Sequence, residues 1–262
     1  MRILVCIKQV PGTAKVDIDE KTGVLKRSGV DSKMNPYDLY AIETALRLKE
    51  LTGASVCALS MGPSQAADVL REALMMGVDE CALLSDRAFA GADVLATSRA
   101  LSGAVQVLGG FDLIICGKQT TDGDTAQVGP EMAEHLGISH ASNVSEIISC
   151  SESSLRVDVN MGESSEIQEI SMPCLITAEK DIFVPRLPSY KRKLKTAGAD
   201  IRLISLNDLP DSDPKGYGLS GSPTQVERIF PPESNSGQVM LRGDPEELAE
   251  RIFNILNVSK FI

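Results

Sequence analysis

The chain has 262 residues, enough to bury a sizeable core as one large domain or as one domain with extensions. Its net charge of −10 argues against non-specific nucleic-acid binding, which rests on clustered cations, and no apolar run approaches the roughly 20 residues of a membrane-spanning helix. Six cysteines without a C-x-x-C spacing and only two histidines argue against a disulfide framework, a His-based metal centre and a hydrolytic triad. A soluble, cytoplasmic protein with reduced thiols is expected.

In chain order, residues 2–7 read as a buried first strand, since the apolar run from Ile3 to Ile7 is too short for a signal-peptide core. Pro36 opens a helix marked by Leu39, Ile42, Ala45, Leu46 and Leu48, and it ends before Gly53. Residues 54–60 form the next expected strand, followed by a Gly62-Pro63 turn and a helix over 64–76. A third strand covers 80–85, a long helix over 92–108 closes at Gly109-Gly110, and a nearly all-apolar fourth strand covers 111–116. Strands alternating with helices of this length predict an α/β fold: a doubly wound, mostly parallel sheet with helices on both faces. Shorter runs at 155–160, 167–171 and 174–178 predict an antiparallel edge. Residues 207–237, rich in Pro, Gly and Ser, are expected as an extended C-terminal arm. A last helix starts at the N-cap Asp244, with Pro245 at its first position.

In such sheets ligands sit beyond the carboxyl ends of the strands, where the chain order reverses. That directs attention to the loops after Ile7, Ser60, Ser85 and Cys116. The strongest local signal follows the fourth strand: Gly117-Lys118-Gln119-Thr120-Thr121-Asp122-Gly123-Asp124-Thr125-Ala126-Gln127-Val128-Gly129-Pro130. Three glycines let the backbone turn tightly and approach a ligand, and three threonines offer hydroxyls. The first turn of the helix that follows offers unpaired N–H groups, so the segment suits an anion. Its two aspartates oppose that reading unless they point away, bind ribose hydroxyls or cap the helix. A surface loop with a helix cap accounts for the same residues. The spelling is neither a Walker loop nor G-x-G-x-x-G.

Gly117-Lys118-Gln119, followed by Asp122-Gly123-Asp124-Thr125-Ala126-Gln127-Val128-Gly129-Pro130, resembles the nucleotide-binding signature of electron-transfer flavoprotein β subunits. Also similar to that family, in its order, are Val5-Cys6-Ile7-Lys8-Gln9-Val10-Pro11, Met34-Asn35-Pro36-Tyr37-Asp38, Ser60-Met61-Gly62-Pro63, Ala73-Leu74-Met75-Met76-Gly77-Val78-Asp79 and Pro185-Arg186-Leu187-Pro188-Ser189. The resemblance implies a nucleotide-binding α/β domain over residues 1–205, with an arm and helix over 206–262 packing on a larger α subunit that carries FAD. It implies nucleotide contacts from Cys6, Asn35, Pro36, Tyr37, Asp38 and Met61. Further contacts would come from Gln119, Thr120, Thr121, Asp122, Gly123, Asp124, Thr125, Ala126, Gln127, Val128, Gly129 and Pro130.

Simple carriers of the family keep AMP in this place. Electron-bifurcating members keep a second FAD, which takes hydride from NADH and sends one electron to ferredoxin or flavodoxin and one to the α-subunit FAD. The spelling after Asp122 is similar to the bifurcating type, as are residues 84–98, where Phe89, Ala90, Asp93 and Thr97 would line a flavin ring. FAD is the expected nucleotide and AMP the alternative. The basic stretch with Arg186, Leu187, Tyr190, Lys191 and Arg192 matches the family's docking loop for an FAD-dependent dehydrogenase, with Tyr190 where carriers often have leucine. His135 and His140 receive no catalytic role, because the flavin carries the chemistry. A reading of another class, a stand-alone adenine-nucleotide-binding regulatory module, uses the same kind of sheet.

Overall fold

The computed structural model describes residues 1–12, 32–227, 237 and 239–262. Its centre is β1 (Arg2–Cys6), which pairs in parallel with β4 (Ser55–Met61) on one side and β6 (Leu113–Gly117) on the other. Outward from β4 lie β5 (Glu80–Leu84) and β11 (Arg202–Ile204), both parallel. Outward from β6 lie β10 (Cys174–Ala178), β7 (Ser139–Cys150), β8 (Ser154–Asn160) and β9 (Ser165–Ser171). The chain leaves β1 toward β4 and β5, then returns to the other side of β1 as β6. The order therefore reverses between β1 and β6, which is where such sheets open a crevice.

Residues alternate along each strand, so each strand feeds two cores. Ile3, Val5, Val56, Ala58, Leu113 and Ile115 meet α1 (Pro36–Thr52) and α2 (Ala67–Met76) on one face. Leu4, Leu59, Ile114 and Leu175 meet α3 (Val94–Leu108) and α4 (Val128–Leu136) on the other. The doubly wound α/β sheet with helices on both faces is as the alternation of elements predicts.

The far edge differs in one respect. β8 and β9 are antiparallel, but β10 is not part of that edge: it runs parallel between β6 and β7. Cys174–Ala178 is wholly buried, and a strand covered on both faces carries no polarity pattern to reveal its direction. Further described elements have no counterpart in the sequence reading: the long strand β7, the ribbon of β2 (Gln9–Pro11) with β3 (Ser32–Met34), the edge strand β11, and the short helix α5 (Tyr190–Thr196).

The first compact unit is Met1–Val226, and the second is Glu227–Ile262. Between 206 and 226 the chain winds through short 3-10 turns, with Tyr217 and Leu209 buried in the α3–α4 core. Of the stretch expected as an extended arm, residues 228–236 lie outside the described residues. The second unit contains α6 (Pro245–Val258), whose N-cap Asp244 accepts from the N–H groups of Glu246 and Glu247. Its Ile252, Phe253, Ile255 and Val258 are exposed.

Gly129 fixes how closely α4 approaches the sheet, because a Cβ there would stand 2.8 Å from Thr177 Cγ2 and 3.4 Å from Leu175 Cδ2. Gly129→Ala should push the helix off β10 and cost about 1–3 kcal/mol. A urea unfolding midpoint equal to that of the parent chain would show that the contact is not as tight as described.

Candidate functional site

Four loops leave the carboxyl ends of the neighbouring strands β5, β4, β1 and β6, and they bring together most of the residues named from the sequence. Cys6 ends β1, Met61 ends β4, and Asn35 to Asp38 start α1. Gln119 to Gln127 form the loop from β6 to α4. Cys6 is buried opposite Cys116, and the hydrogen bond between them together with burial raises the Cys6 thiol well above its usual range. It is a neutral wall residue, not a nucleophile.

Asn35 stands at the N-cap of α1, where its type is strongly preferred, yet its side chain makes no cap. It reaches across instead. Its Nδ2 donates to Asp38 Oδ1 (2.9 Å) and to the Gln119 carbonyl (2.8 Å), while its Oδ1 accepts from the Thr121 N–H (3.2 Å). Asp38 Oδ2 accepts from the Lys8 N–H at 2.7 Å. Asn35 is 0% exposed and Asp38 4%. Both side chains are thus spent on protein partners, while Pro36 and Tyr37 are half-buried beside them. Burial pushes the Asp38 carboxyl up to about 7, against the pull of its Asn35 and Lys8 donors.

Both aspartates of the β6–α4 loop have partners within the chain, but only Asp122 meets a cation. Lys8 Nζ lies 2.8 Å from each Asp122 oxygen, and, although burial acts the other way, this cation holds the Asp122 carboxyl below its usual range. Asp124 accepts from Gln119 Nε2, and its own N–H donates to the Thr120 carbonyl at 2.9 Å. The sequence reading did not single out Lys8. A carboxylate in an anion loop demands a cation, and a lysine directly after the buried Ile7 that follows β1 was the available signal.

The loop is strained where it turns toward the helix: Asp124 and Ala126 both have φ of 56°. Ala126 is followed by Gln127 in the right-handed region (φ −109°, ψ −26°), a succession that turns neighbouring N–H groups to one side. No side chain caps α4. The N–H groups of Ala126, Gln127, Val128 and Gly129 have no acceptor among the described residues. They form a row of donors at a positive helix end, running from the exposed Ala126 and Gln127 through the half-buried Val128 to the buried Gly129. Thr120, Thr121, Gly123 and Thr125 surround that row, and Pro130 sits inside the first turn, where no N–H is needed.

The β5–α3 loop contributes differently. Phe89 is 6% exposed and meets Tyr217 edge-on with ring centroids 5.6 Å apart, so its ring lies in the core. Asp93 caps α3 through the Ala96 N–H, and its other oxygen accepts from Thr224 N–H and Oγ1 at 3.0 and 2.7 Å. Leu219 covers Gly91, its Cβ 3.4 Å from where a Gly91 Cβ would be. Ala90 is exposed and Thr97 half-buried at the rim.

The basic segment is held from behind by an acid that was not singled out. Glu43 on α1, 0% exposed, takes a two-pronged contact from Arg186 (Nε to Oε2 2.8 Å, Nη2 to Oε1 3.0 Å) and the Arg186 N–H at 3.1 Å. Burial would raise the Glu43 carboxyl, but Arg186 and Arg47 hold it below its usual range. Arg186 is therefore engaged within the chain, whereas Leu187 (87%) and Tyr190 (73%) stand out, with Lys191 and Arg192 exposed beside them.

Residues 22–209 match the electron transfer flavoprotein domain. The electron transfer flavoprotein subunit beta of Thermoanaerobacterium thermosaccharolyticum is 42% identical over 258 residues, 98% of each chain. The chain belongs to the electron transfer flavoprotein family. Within that family it is a β-type chain, and other relatives carry other names. The caffeyl-CoA reductase-Etf complex subunit CarD of Acetobacterium woodii is 43% identical over 244 residues, 93% of this chain and 92% of its own. Protein FixA of Azorhizobium caulinodans is 40% identical over 242 residues, 90% and 86% respectively. Electron transfer is the function of the family, and no described helix is long and apolar enough to cross a membrane.

Asp38 gives this chain a measurable pH signature. Its carboxyl binds a proton up to about pH 7 in the fold but only to about its ordinary 3.8 when unfolded. Between those values the folded state holds more protons, so stability falls as pH rises through the window and levels off above it. Asp38→Asn should flatten the slope between pH 5 and 7, which in the parent is worth on the order of 1–3 kcal/mol. Urea midpoints for the two chains that keep parallel slopes across that range would refute the assignment.

Proposed function

We propose that this β subunit holds FAD at the ends of β5, β4, β1 and β6 and works joined to an α subunit that carries a second FAD. On this reading it oxidises NADH and divides the electrons between a low-potential carrier, ferredoxin or flavodoxin, and an FAD-dependent dehydrogenase reached through the α subunit. The observation that carries the nucleotide reading is the uncapped donor row at Ala126 to Gly129, in a loop whose Asp122 is paired with Lys8 and whose Asp124 is hydrogen-bonded to Gln119. An anionic pyrophosphate is the chemistry that such a row lacks.

The residues fit the group. The donor row and the hydroxyls of Thr120, Thr121 and Thr125 would hold the phosphates, Cys6 and Met61 would wall the adenosine side, and Ala90 and Thr97 would border a ring. When bound, FAD supplies hydride acceptance and one-electron transfer. The chain's own part is to bind, orient and neutralise. Lys8 keeps Asp122 from repelling the phosphates, and the α4 dipole favours their charge. The exposed Leu187 and Tyr190 with flanking cations suit a docking surface of apolar anchor and charged rim. The exposed apolar residues of α6 suit burial on an α subunit rather than a stand-alone module.

AMP is the second reading, favoured by one observation. Asp93 and Phe89 are committed to protein contacts, so the β5–α3 loop offers a ring few free groups, while the phosphate cradle serves either nucleotide. FAD is preferred because the spelling from Asp122 to Pro130 and over 84–98 is similar to the bifurcating type.

Purification with the co-expressed α subunit, followed by release and chromatography of the nucleotides, separates the two readings. Two FAD per heterodimer are expected, whereas one FAD with one AMP would make the chain a simple carrier. Tyr190→Ala should slow electron delivery to the cognate dehydrogenase at least tenfold while leaving NADH oxidation by an artificial acceptor unchanged. Equal loss of both activities would remove Tyr190 from docking.

A further inference from the structure

A nucleotide contact and a residue that shapes the nucleotide's cradle are chemically different things, and Asn35 and Asp38 are placed for the second. Asn35 is 0% exposed, and both ends of its amide are occupied: Nδ2 by Asp38 and the Gln119 carbonyl, Oδ1 by the Thr121 N–H. Asp38 is 4% exposed, and its two oxygens are taken by Asn35 and by the Lys8 N–H. Gly117 closes this arrangement from the β6 side. A Cβ there would lie 2.4 Å from Asp38 Oδ1 and 2.8 Å from the Tyr37 carbonyl carbon, so α1 can start this close to β6 only over a glycine.

We propose that Asn35 and Asp38, seated over Gly117, are positioning residues for the phosphate cradle: they do not touch the nucleotide, but fix Gln119 and Thr121 so that the donor row from Ala126 to Gly129 converges. This rests on the reading that the loop takes phosphates. The route from lock to donors is short and contiguous. Gln119, held through its carbonyl by Asn35, in turn donates to Asp124. Thr121, held through its N–H, sits between Thr120, which accepts from the Asp124 N–H, and Asp122, which Lys8 grips. The backbone of Lys8 is itself tied to the lock, donating to Asp38 and accepting from the Asn35 N–H at 2.9 Å. Freed of Asn35, the loop loses both its anchors on the α1 side, while the two strained residues Asp124 and Ala126 keep their tendency to relax. A preorganised donor set then becomes one that must be ordered at the moment of binding, and that cost falls on the phosphate part of the ligand alone.

The test is the ratio of affinities for ADP and adenosine, and for AMP and adenosine, measured by calorimetry on the two-subunit complex stripped of nucleotide. The parent complex should prefer the phosphorylated ligands. If it shows no such preference, the phosphate reading itself fails, whatever the variants do. Given that preference, Asn35→Ala should lower the ADP-to-adenosine ratio at least tenfold while adenosine affinity stays within about threefold. Gly117→Ala, which displaces Asp38 from the other side, should reproduce the loss and carries the test if Asn35→Ala does not fold. Thr44→Ala, a buried change elsewhere on α1, should lower the unfolding midpoint and leave the ratio alone. A folded Asn35 or Gly117 variant with the parent ratio would overturn the proposal, as would an equal fall in the ratio for Thr44→Ala.

Discussion

A carboxylate with almost no access to water must be met by donors or by a proton, and at Asp38 the chain supplies donors from two places. One oxygen takes the Lys8 N–H just past the end of β1, and the other takes the Asn35 amide. Asn35 continues to the β6 loop through Gln119 and Thr121. The three crossings that surround the reversal between β1 and β6 are therefore tied to one buried group. Its surroundings follow from that. Gly117 must lack a side chain, Asn35 must forgo capping its own helix, and Lys8 is left with its ammonium over the loop, where Asp122 receives it.

The same helix holds the second functional segment by the same device. Glu43 lies further along α1, is as buried as Asn35, and is answered by Arg186 from a distant part of the chain. A lone ionised acid at that depth would cost several kcal/mol, so the Arg186 fork anchors the chain before Leu187 and Tyr190 to α1. Both segments with exposed chemistry, the donor loop and the apolar-basic stretch, thus hang from buried acids on one helix. Exposed loops gain definite shape in this way without burying their own functional groups.

The alternation of strands and helices made most of this legible in advance. β1, β4, β5 and β6, the four helices between and after them, and the α6 cap with Asp244 and Pro245 lie within a few residues of their expected bounds. What stayed hidden was non-local. β10 is an apolar five-residue run whether it pairs at an edge or between β6 and β7, and only distant pairing decides. α5 reads as a run of cations because it has no apolar face in the core. The partners of Asp122 and Glu43 stand 114 and 143 positions away, so no window of sequence could show that these charges are answered. Of the site, the loops were legible from the rule of strand ends. The division of labour inside them, with Ala126 to Gly129 offering donors while the polar groups of Asn35, Asp38 and Asp93 are taken up by protein partners, was not.

Charge distribution adds a constraint on assembly. With a net charge of −10, most of this surface repels another acidic protein, and over distances near the Debye length of about 8 Å that repulsion is felt before contact. The exposed cations from Lys191 to Lys195 form a local exception, set beside Leu187 and Tyr190, the exposed side chains best able to lose water on contact. On the proposed docking role, attraction to this rim and burial of the anchor would seat a partner here. The basic character of Arg186 does not enter this field strongly, because Glu43 and Glu50 already answer it. The cations of one short stretch thus differ: the lysines are exposed to solvent, while Arg186 ties the stretch to α1.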